Sequence, residues 1–267
     1  MSSVAFDTAS VAEAYQRYLE PVLFAPWAHR LVAYAGVKPG DVVLDLAAGT
    51  GAVARVAARS AGPDGAVIAS DVSPRMLALA ASSAPRSAPI STLVSPAAAL
   101  DLPDASVDVV LCQQGLQFVP DAAAVMRECL RVLRPGGTVA VSVWAAGERL
   151  EPFDVYAEAL QRDAVTAGSD RTFTNDSVEM SVLDIVDTML VAGARDVAAT
   201  RQQLGVRWPT VDSEVAALFG TPFGSYVGRL SVVRQERVLS DIGDRLSRDG
   251  RTVEHITTSV VARASNL

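Results

Sequence analysis

The sequence predicts a doubly wound α/β domain, and two observations support that prediction. Short runs rich in β-branched residues recur along the chain, and stretches with apolar residues at helical spacing lie between them. The first five runs are Val42–Leu46, Ala66–Ser70, Ser91–Ser95, Val107–Cys112 and Thr138–Trp144. Strands that alternate with helices form right-handed βαβ units, which build a parallel sheet with helices on both faces.

The segments around these five strands complete the predicted architecture. Residues 10–35 have the pattern of an amphipathic helix interrupted by Pro21 and Pro26. Two further strands are predicted at Val197–Trp208 and Val253–Arg263, which makes seven strands in all. Between these two, residues 211–248 are predicted to form two helices around a turn at 220–224.

Composition excludes several classes of function. The 267 residues are 50% hydrophobic and carry a net charge of −7, so a large core is available but no surplus of cations for nucleic-acid phosphates. Two cysteines and two histidines predict no metal site. The sequence shows neither a signal peptide nor an apolar run long enough to span a membrane, so we expect a soluble, cytoplasmic protein. A monomer and a homodimer both remain open.

The most informative segment follows the first strand. It has the pattern Gly49-x-Gly51-x-x-Ala54, in which a strand leads into a glycine-rich turn that opens a helix. Asp71 follows 20 residues after Gly51, at the end of the next strand, where a carboxylate can accept the hydroxyl protons of a ribose. This pattern satisfies the loose dinucleotide fingerprint as well.

The charge of Asp45 distinguishes between two possible ligands, a dinucleotide and S-adenosylmethionine. In a dinucleotide site, a carboxylate at the end of the first strand would repel the pyrophosphate. S-adenosylmethionine carries an ammonium and a sulfonium but no phosphate, so an acid is favourable there. Asp45 therefore favours S-adenosylmethionine.

Four ordered motifs resemble those of class I S-adenosylmethionine-dependent methyltransferases, and most closely the small-molecule enzymes of ubiquinone and menaquinone biosynthesis. The motifs are VVLDLAAGTG, VIASDVS, ALDLPDASVDVVLCQQGLQFVPD and VLRPGGTVAVSVW. The resemblance covers roughly residues 12–144, and more weakly LVAGARDV at 190–197. It implies a Rossmann-like sheet of seven strands, mostly parallel with the last strand antiparallel, and S-adenosyl-L-homocysteine as the product.

The resemblance also implies a set of cofactor-binding residues. They are Tyr15 and Tyr18 in an N-terminal segment, Asp45, Ala47, Gly49 and Gly51 on the methionine and ribose side, Asp71 on the ribose hydroxyls, Val72 and Met76 near the adenine, Pro96, Ala97 and Ala98 at the adenine edge, and Cys112, Gln113 and Gln114 beside the methionine. One position departs from the family. Ser95-Pro96-Ala97 replaces the usual Gly-Asp-Ala step, so the acidic acceptor for the adenine amino group is missing.

Taken together, these observations predict a single methyltransferase domain over residues 1–267. A helical N-terminal lid would occupy residues 1–35 and the cofactor-binding core residues 36–144. Helical insertions at 145–180 and 209–250 would lie on the acceptor side of the cofactor.

Candidate residues on the acceptor side are few. Trp144, Phe153, Tyr156 and Phe223 are candidates for an apolar acceptor pocket, although aromatic residues in insertions also build local core. His29 is the only candidate for a catalytic base, and an ordinary surface or capping role competes with it. The sulfonium is already an activated electrophile, so a base is needed only for a weakly acidic acceptor.

The sequence thus predicts methyl transfer to an O or C centre of a small, largely apolar metabolite such as a quinone, a polyketide or another natural product. Two alternatives remain open at this point. One is a nicotinamide-dependent oxidoreductase, which the glycine pattern permits but which lacks a Tyr-x-x-x-Lys pair. The other is a pericyclase-like or binding protein that keeps the fold and uses S-adenosylmethionine only as a scaffold.

Overall fold

The computed structural model describes residues 9–82, 87–175, 180–247 and 254–266. The predicted strand start at Val253 lies outside these residues. Seven strands form one sheet: β1 (Val42–Leu46), β2 (Ala66–Asp71), β3 (Ile90–Val94), β4 (Val107–Gln113), β5 (Leu133–Trp144), β6 (Arg195–Arg207) and β7 (Glu254–Ser265).

The strand order is β3-β2-β1-β4-β5-β7-β6, and β7 is antiparallel to both of its neighbours. The first five strands pair in parallel. This confirms the predicted fold class of a mostly parallel, Rossmann-like sheet with an antiparallel last strand. The order in which strands are added changes direction between β1 and β4: β2 and β3 extend the sheet on one side, and β4 and β5 extend it on the other. Ligands of open α/β sheets bind at such a switch point, outside the carboxyl ends of the strands.

Helices cover both faces of the sheet. They are α1 (Ala9–Ala14), α2 (Ala25–Ala35), α3 (Ala52–Ala61), α4 (Pro74–Ser82), α5 (Ala122–Val132), α6 (Phe153–Thr166), α7 (Val182–Ala192), α8 (Val211–Ala217), α9 (Pro222–Val227) and α10 (Val232–Ser247), with short 3₁₀ turns at Leu116–Phe118 and Leu218–Gly220. Wherever the helices are described, they are too short or too polar to cross a membrane.

Two helical predictions need correction. Residues 9–35 form one continuous helical rod, because the interruption expected at Pro21 is absorbed by a π-helical segment, Tyr15–Phe24. Proline lacks an N–H, and the wider turns of this segment accommodate it. Residues 211–247 contain three helices, α8, α9 and α10, instead of the predicted two, because α9 begins inside the turn predicted at 220–224. Pro222 occupies the first turn of α9, where its missing N–H costs nothing.

Candidate functional site

A glycine-rich loop joins β1 to α3 at the carboxyl end of the sheet. Gly49 and Gly51 have φ angles of 52° and 84°, in the left-handed region that glycine enters without strain. A Cβ atom at Gly51 would lie 2.7 Å from the Cβ atom of Ala80 in α4. The close approach of the loop to α4 therefore requires glycine at this position.

Asp71 connects this loop to the end of β2. One carboxylate oxygen accepts a hydrogen bond from the Gly49 N–H at 2.9 Å, and the other accepts one from the Ser73 N–H at 2.9 Å. The side chain lies at the wall of a cavity. The backbone thus holds a carboxylate in a fixed orientation at the place where a ribose is expected.

Asp45 lies beneath the loop and does not line the cavity. Its side chain is buried, and its Oδ2 accepts a hydrogen bond from the Ala54 N–H at 2.8 Å, in the first turn of α3. Burial raises the pKa of this carboxyl group to about 8, and the nearby charge of Asp71 adds to the increase. The carboxyl is close enough to the site to act on it electrostatically without direct exposure to the cavity.

The cavity has a volume of about 700 Å³ and a mostly apolar wall. We distinguish a glycine-loop half, at the ends of β1 and β2, from an aromatic half beyond the end of β5. Ala47, Gly49, Asp71 and Met76 belong to the first half. The aromatic half is defined by the four side chains Phe24, Trp144, Phe153 and Phe223.

Most of the residues predicted from the sequence line this cavity. They are Tyr15, Ala47, Gly49, Asp71, Val72, Met76, Pro96, Ala97, Ala98, Gln113, Gln114, Trp144, Phe153 and Phe223. The structure brings these residues together at one cavity, and their contact with a ligand stays a prediction.

The π-helical segment determines which tyrosine reaches the cavity. Its hydrogen bonds span five residues, as in the bond from the Ala25 N–H to the Glu20 carbonyl, so its turns are wider than those of an α-helix. Tyr15, Leu19 and Phe24 therefore share the cavity face, where the Tyr15 and Phe24 rings stack with their centroids 4.9 Å apart. Tyr18 is turned away from the cavity and lies under the Arg17 guanidinium, so its predicted cofactor contact is not supported.

Two further predicted cofactor residues lie behind the cavity wall. Cys112 is a buried residue of β4, with its Sγ 3.1 Å from the place where a Cβ atom on Gly115 would be. Burial raises the pKa of the Cys112 thiol to about 12, so this residue acts as a small apolar group. Gly51 packs against α4 instead of lining the cavity.

The catalytic candidate His29 and the pocket candidate Tyr156 are not at the cavity either. Trp27, Ala28 and Leu31 occupy the buried face of α2, and helical geometry then directs His29 to solvent. Tyr156 is fully buried in the core around α6, where its hydroxyl donates to the Glu214 carbonyl.

The sequence did not predict a charged group that ties the π-helical segment to the glycine loop. Glu20 accepts hydrogen bonds from the Thr50 hydroxyl and from the Arg55 guanidinium, which also donates to the Thr50 carbonyl at 2.7 Å. Both ion-pair side chains are largely buried. The indication in the sequence was Arg55 near the start of α3, because a cation at a helix N-terminus is unfavourable unless an anion lies nearby.

Other cavity residues were missed: Phe118 lies inside the third motif but was given no role, and Asn175 and Thr221 lie outside the four motifs. Phe118 follows β4, Asn175 belongs to the loop after α6, and Thr221 precedes α9. Among the described residues that line the cavity, the charged ones are the acidic Asp71 and Asp121.

Comparison with known proteins places this geometry in context. Residues 44–141 match the family described as a methyltransferase domain. Over 118 residues, the chain is 40% identical to the ubiquinone/menaquinone biosynthesis C-methyltransferase of Xanthomonas campestris pv. campestris, an alignment that covers 43% of this chain and 47% of the relative. The chain thus spans about half the length of the curated relatives that it matches.

Solved structures share the fold across nearly the whole chain. The YcgJ protein of Bacillus subtilis is 18% identical, with a TM-score of 0.57, 90% of this chain covered and 98% of that chain covered. Phosphoethanolamine N-methyltransferase 2 of Haemonchus contortus, solved in complex with S-adenosyl-L-methionine, is 16% identical, with a TM-score of 0.58 and coverage of 99% and 57%. At these identities, the likeness concerns the fold.

Proposed function

We propose that the chain is a class I S-adenosylmethionine-dependent methyltransferase that methylates a small, largely apolar metabolite; its methyltransferase-domain match over residues 44–141 and its Rossmann-like sheet support this proposal. The acceptor atom would be an O or C centre of a quinone, polyketide or similar natural product. The observation that carries the proposal is Asp71, held by two backbone N–H groups at the wall of the cavity.

The residues of the glycine-loop half fit S-adenosylmethionine. Asp71 would accept the ribose hydroxyls, and Met76 and Ala97 offer apolar contacts for the adenine. The acidic character of the charged lining residues suits a cofactor with a sulfonium and an ammonium, and it disfavours a pyrophosphate. The buried Asp45 is compatible with the same choice, because a bound cation would favour ionisation of this carboxyl group.

The protein contributes orientation and exclusion of water. When bound, the cofactor supplies an electrophilic methyl group, which needs alignment with the nucleophile more than it needs acid or base. Tyr15, Leu19 and Phe24 form an apolar cover over the cavity. The side-chain Nε2–H of Gln113 donates a hydrogen bond to the Phe24 carbonyl at 2.9 Å. This bond links the cover to the end of β4, so the cover and the site are positioned together.

The aromatic half supports an uncharged, apolar acceptor. The Phe24 and Trp144 ring centroids are 6.2 Å apart, and Phe153 and Phe223 add further aromatic wall. Such surfaces bind planar apolar molecules through burial and ring contacts. With no arginine, lysine or histidine among the described lining residues, a phosphorylated acceptor would lack a counter-ion.

Isothermal titration tests the choice of cofactor. We expect S-adenosylmethionine and S-adenosylhomocysteine to bind, and NAD and NADP not to. Asp71→Ala is expected to weaken S-adenosylmethionine about tenfold or more, because hydrogen bonds to a charged group are lost. Asp64→Ala, in the exposed turn between α3 and β2, is the matched control and should bind normally. Binding of NAD without S-adenosylmethionine would contradict the proposal.

A transfer assay tests the reaction and the acceptor class. The protein is incubated with methyl-labelled S-adenosylmethionine and a panel of uncharged phenols, quinols and enolisable ketones, with phosphoethanolamine and transfer RNA as charged comparators. Label should appear in members of the uncharged set only. Cofactor binding without label transfer to any acceptor would instead indicate scaffold use.

A further inference from the structure

A histidine bridged by two carboxylates lies just outside the aromatic half of the cavity. The Nδ1 of His255 is 2.8 Å from Glu151 Oε2, and its Nε2 is 2.5 Å from Glu214 Oε1. The His255 side chain is 13% exposed and that of Glu214 is fully buried. The three residues come from β7, from the segment between β5 and α6, and from α8.

Both ring nitrogens of His255 face carboxyl oxygens, and this geometry favours a cationic ring. A neutral imidazole donates from one nitrogen only, so its other nitrogen would direct a lone pair at a carboxylate, whereas imidazolium donates to both. Burial lowers the pKa of His255, but the hydrogen bonds to Glu151 and Glu214 outweigh burial and raise it to about 9. The hydrogen bond from His255 lowers the pKa of Glu151 to about 2, and burial raises that of Glu214.

The groups around the bridge are consistent with one positive charge on the ring. Arg149 donates to Glu151 at 2.8 Å and to Glu158 at 2.7 Å, so Glu151 is shared between two cations. The Tyr156 hydroxyl donates to the Glu214 carbonyl from α6, and the strand partner of His255 in β6 is the uncharged Val206. The Glu214 carboxylate therefore depends on His255 for its charge balance.

Both carboxylates belong to segments that continue directly into the cavity wall. Glu151 precedes Phe153 by two residues, and Phe153 lines the aromatic half. Glu214 is in α8, whose chain continues through a 3₁₀ turn into the lining residues Thr221 and Phe223. His255 therefore connects two segments that continue into the wall, one to Phe153 and one to Phe223, and attaches both to the sheet.

We propose that His255 is a positioning residue for the acceptor: as an imidazolium it fixes the spacing between the Phe153 wall and the Phe223 wall. This inference rests on the proposed function, since it takes the aromatic half to be the acceptor site. His255 does not line the cavity and takes no part in the chemical step.

Hydrogen exchange read by mass spectrometry tests the proposal in the full-length protein. In His255→Gln, peptides covering 150–160 and 211–227 should exchange about tenfold or more faster at about pH 7, while peptides of the glycine loop and β2 stay unchanged. His29→Gln, which changes the only other histidine at an exposed position, is the matched control and should exchange like the wild type.

A pH comparison separates positioning from general stability. With millisecond labelling and correction for intrinsic exchange, wild-type protein taken from about pH 7 to about pH 10 should show the same local acceleration, because His255 loses its proton in that interval. The Glu151→Gln variant, which retains a hydrogen-bond acceptor but not the charge, should show a smaller effect at about pH 7. The wild-type measurement needs no variant to fold.

Titration with S-adenosylmethionine separates this proposal from the proposed function. Cofactor affinity in His255→Gln should stay within about twofold of wild type, since the bridge lies outside the glycine-loop half. Acceleration spread evenly over all peptides, or wild-type exchange that does not respond to pH in the two segments, would overturn the positioning role. If the wild-type protein does not bind S-adenosylmethionine at all, the proposed function is refuted instead.

Discussion

The two halves of the cavity are built in different ways. The glycine-loop half is held by backbone groups: Asp71 is fixed by two N–H donors, and Gly51 is required by the approach of α4. The aromatic half is held by side chains from distant segments, joined through Trp144, Phe153 and the His255 bridge. Substitutions in the first half should therefore affect the cofactor, and substitutions in the second should affect the acceptor with little effect on the cofactor.

The largest effect is expected at the glycine loop. Gly51→Ala introduces left-handed strain of about 1–2 kcal/mol and a clash with Ala80, so S-adenosylmethionine affinity should fall about tenfold or more. Gly36→Ala is the control, because Gly36 has φ of 75° but open space around it and lies outside the cavity. Titration and thermal unfolding should show that both variants lose stability and that only Gly51→Ala loses affinity. Equal S-adenosylmethionine affinities in the two variants would show that the close approach of the glycine loop to α4 does not affect the cofactor site.

The next effect concerns the aromatic half. Phe153→Ala removes apolar wall, so kcat/KM for an acceptor found in the transfer assay should fall about tenfold. The dissociation constant for S-adenosylmethionine should not change. Leu183→Ala, on the exposed face of α7, is the matched truncation and should leave both quantities unaltered. A parallel loss of cofactor affinity in Phe153→Ala would show that the halves are coupled.

The ion pair between the π-helical segment and the loop should have an intermediate effect. Glu20→Gln keeps a hydrogen-bond acceptor for Thr50 but loses the charge that pairs with Arg55, so cofactor affinity should fall about three- to tenfold. Glu13→Gln, on the exposed face of α1, serves as the comparison. If the two variants bind equally well, the segment covers the cavity without any contribution from this pair.

The smallest effect is a pH dependence. The pKa of Asp45 is about 8 in the folded protein and 3.8 ordinarily. Between these two pH values the folded state keeps Asp45 protonated while the unfolded state does not, so the free energy of unfolding falls as pH rises from about 4 to 8. A bound cation favours the carboxylate, so S-adenosylmethionine affinity should rise severalfold between pH 6 and 8 and then level off. Titrations in buffers of different ionisation enthalpy should detect the released proton. Asp45→Asn should abolish the pH dependence, and its persistence would assign it to another group.

The difference between the halves also explains what could be predicted from sequence. The strands, the glycine loop and Asp71 are specified by patterns within a few residues of each other, so their positions followed from spacing alone. Tyr18 was predicted at the cavity, but Leu19 and Phe24 line it instead. The sequence did not show this, because the π-helical turns around Pro21 change the periodicity that assigns side chains to faces. His255, Glu151 and Glu214 are far apart in sequence, and nothing local to any of them indicates the other two.

The position of β7 has a consequence for the order in which the molecule is assembled. This strand lies between β5 and the edge strand β6, so residues 254–265 join β6 to a sheet whose other described strands all precede β7 in the chain. Until these residues leave the ribosome, the edges of β5 and β6 have unpaired backbone groups, and β6 lacks its partner strand. During translation, the first five strands can therefore assemble well before the aromatic half, and the interval between them is the period of greatest exposure to aggregation.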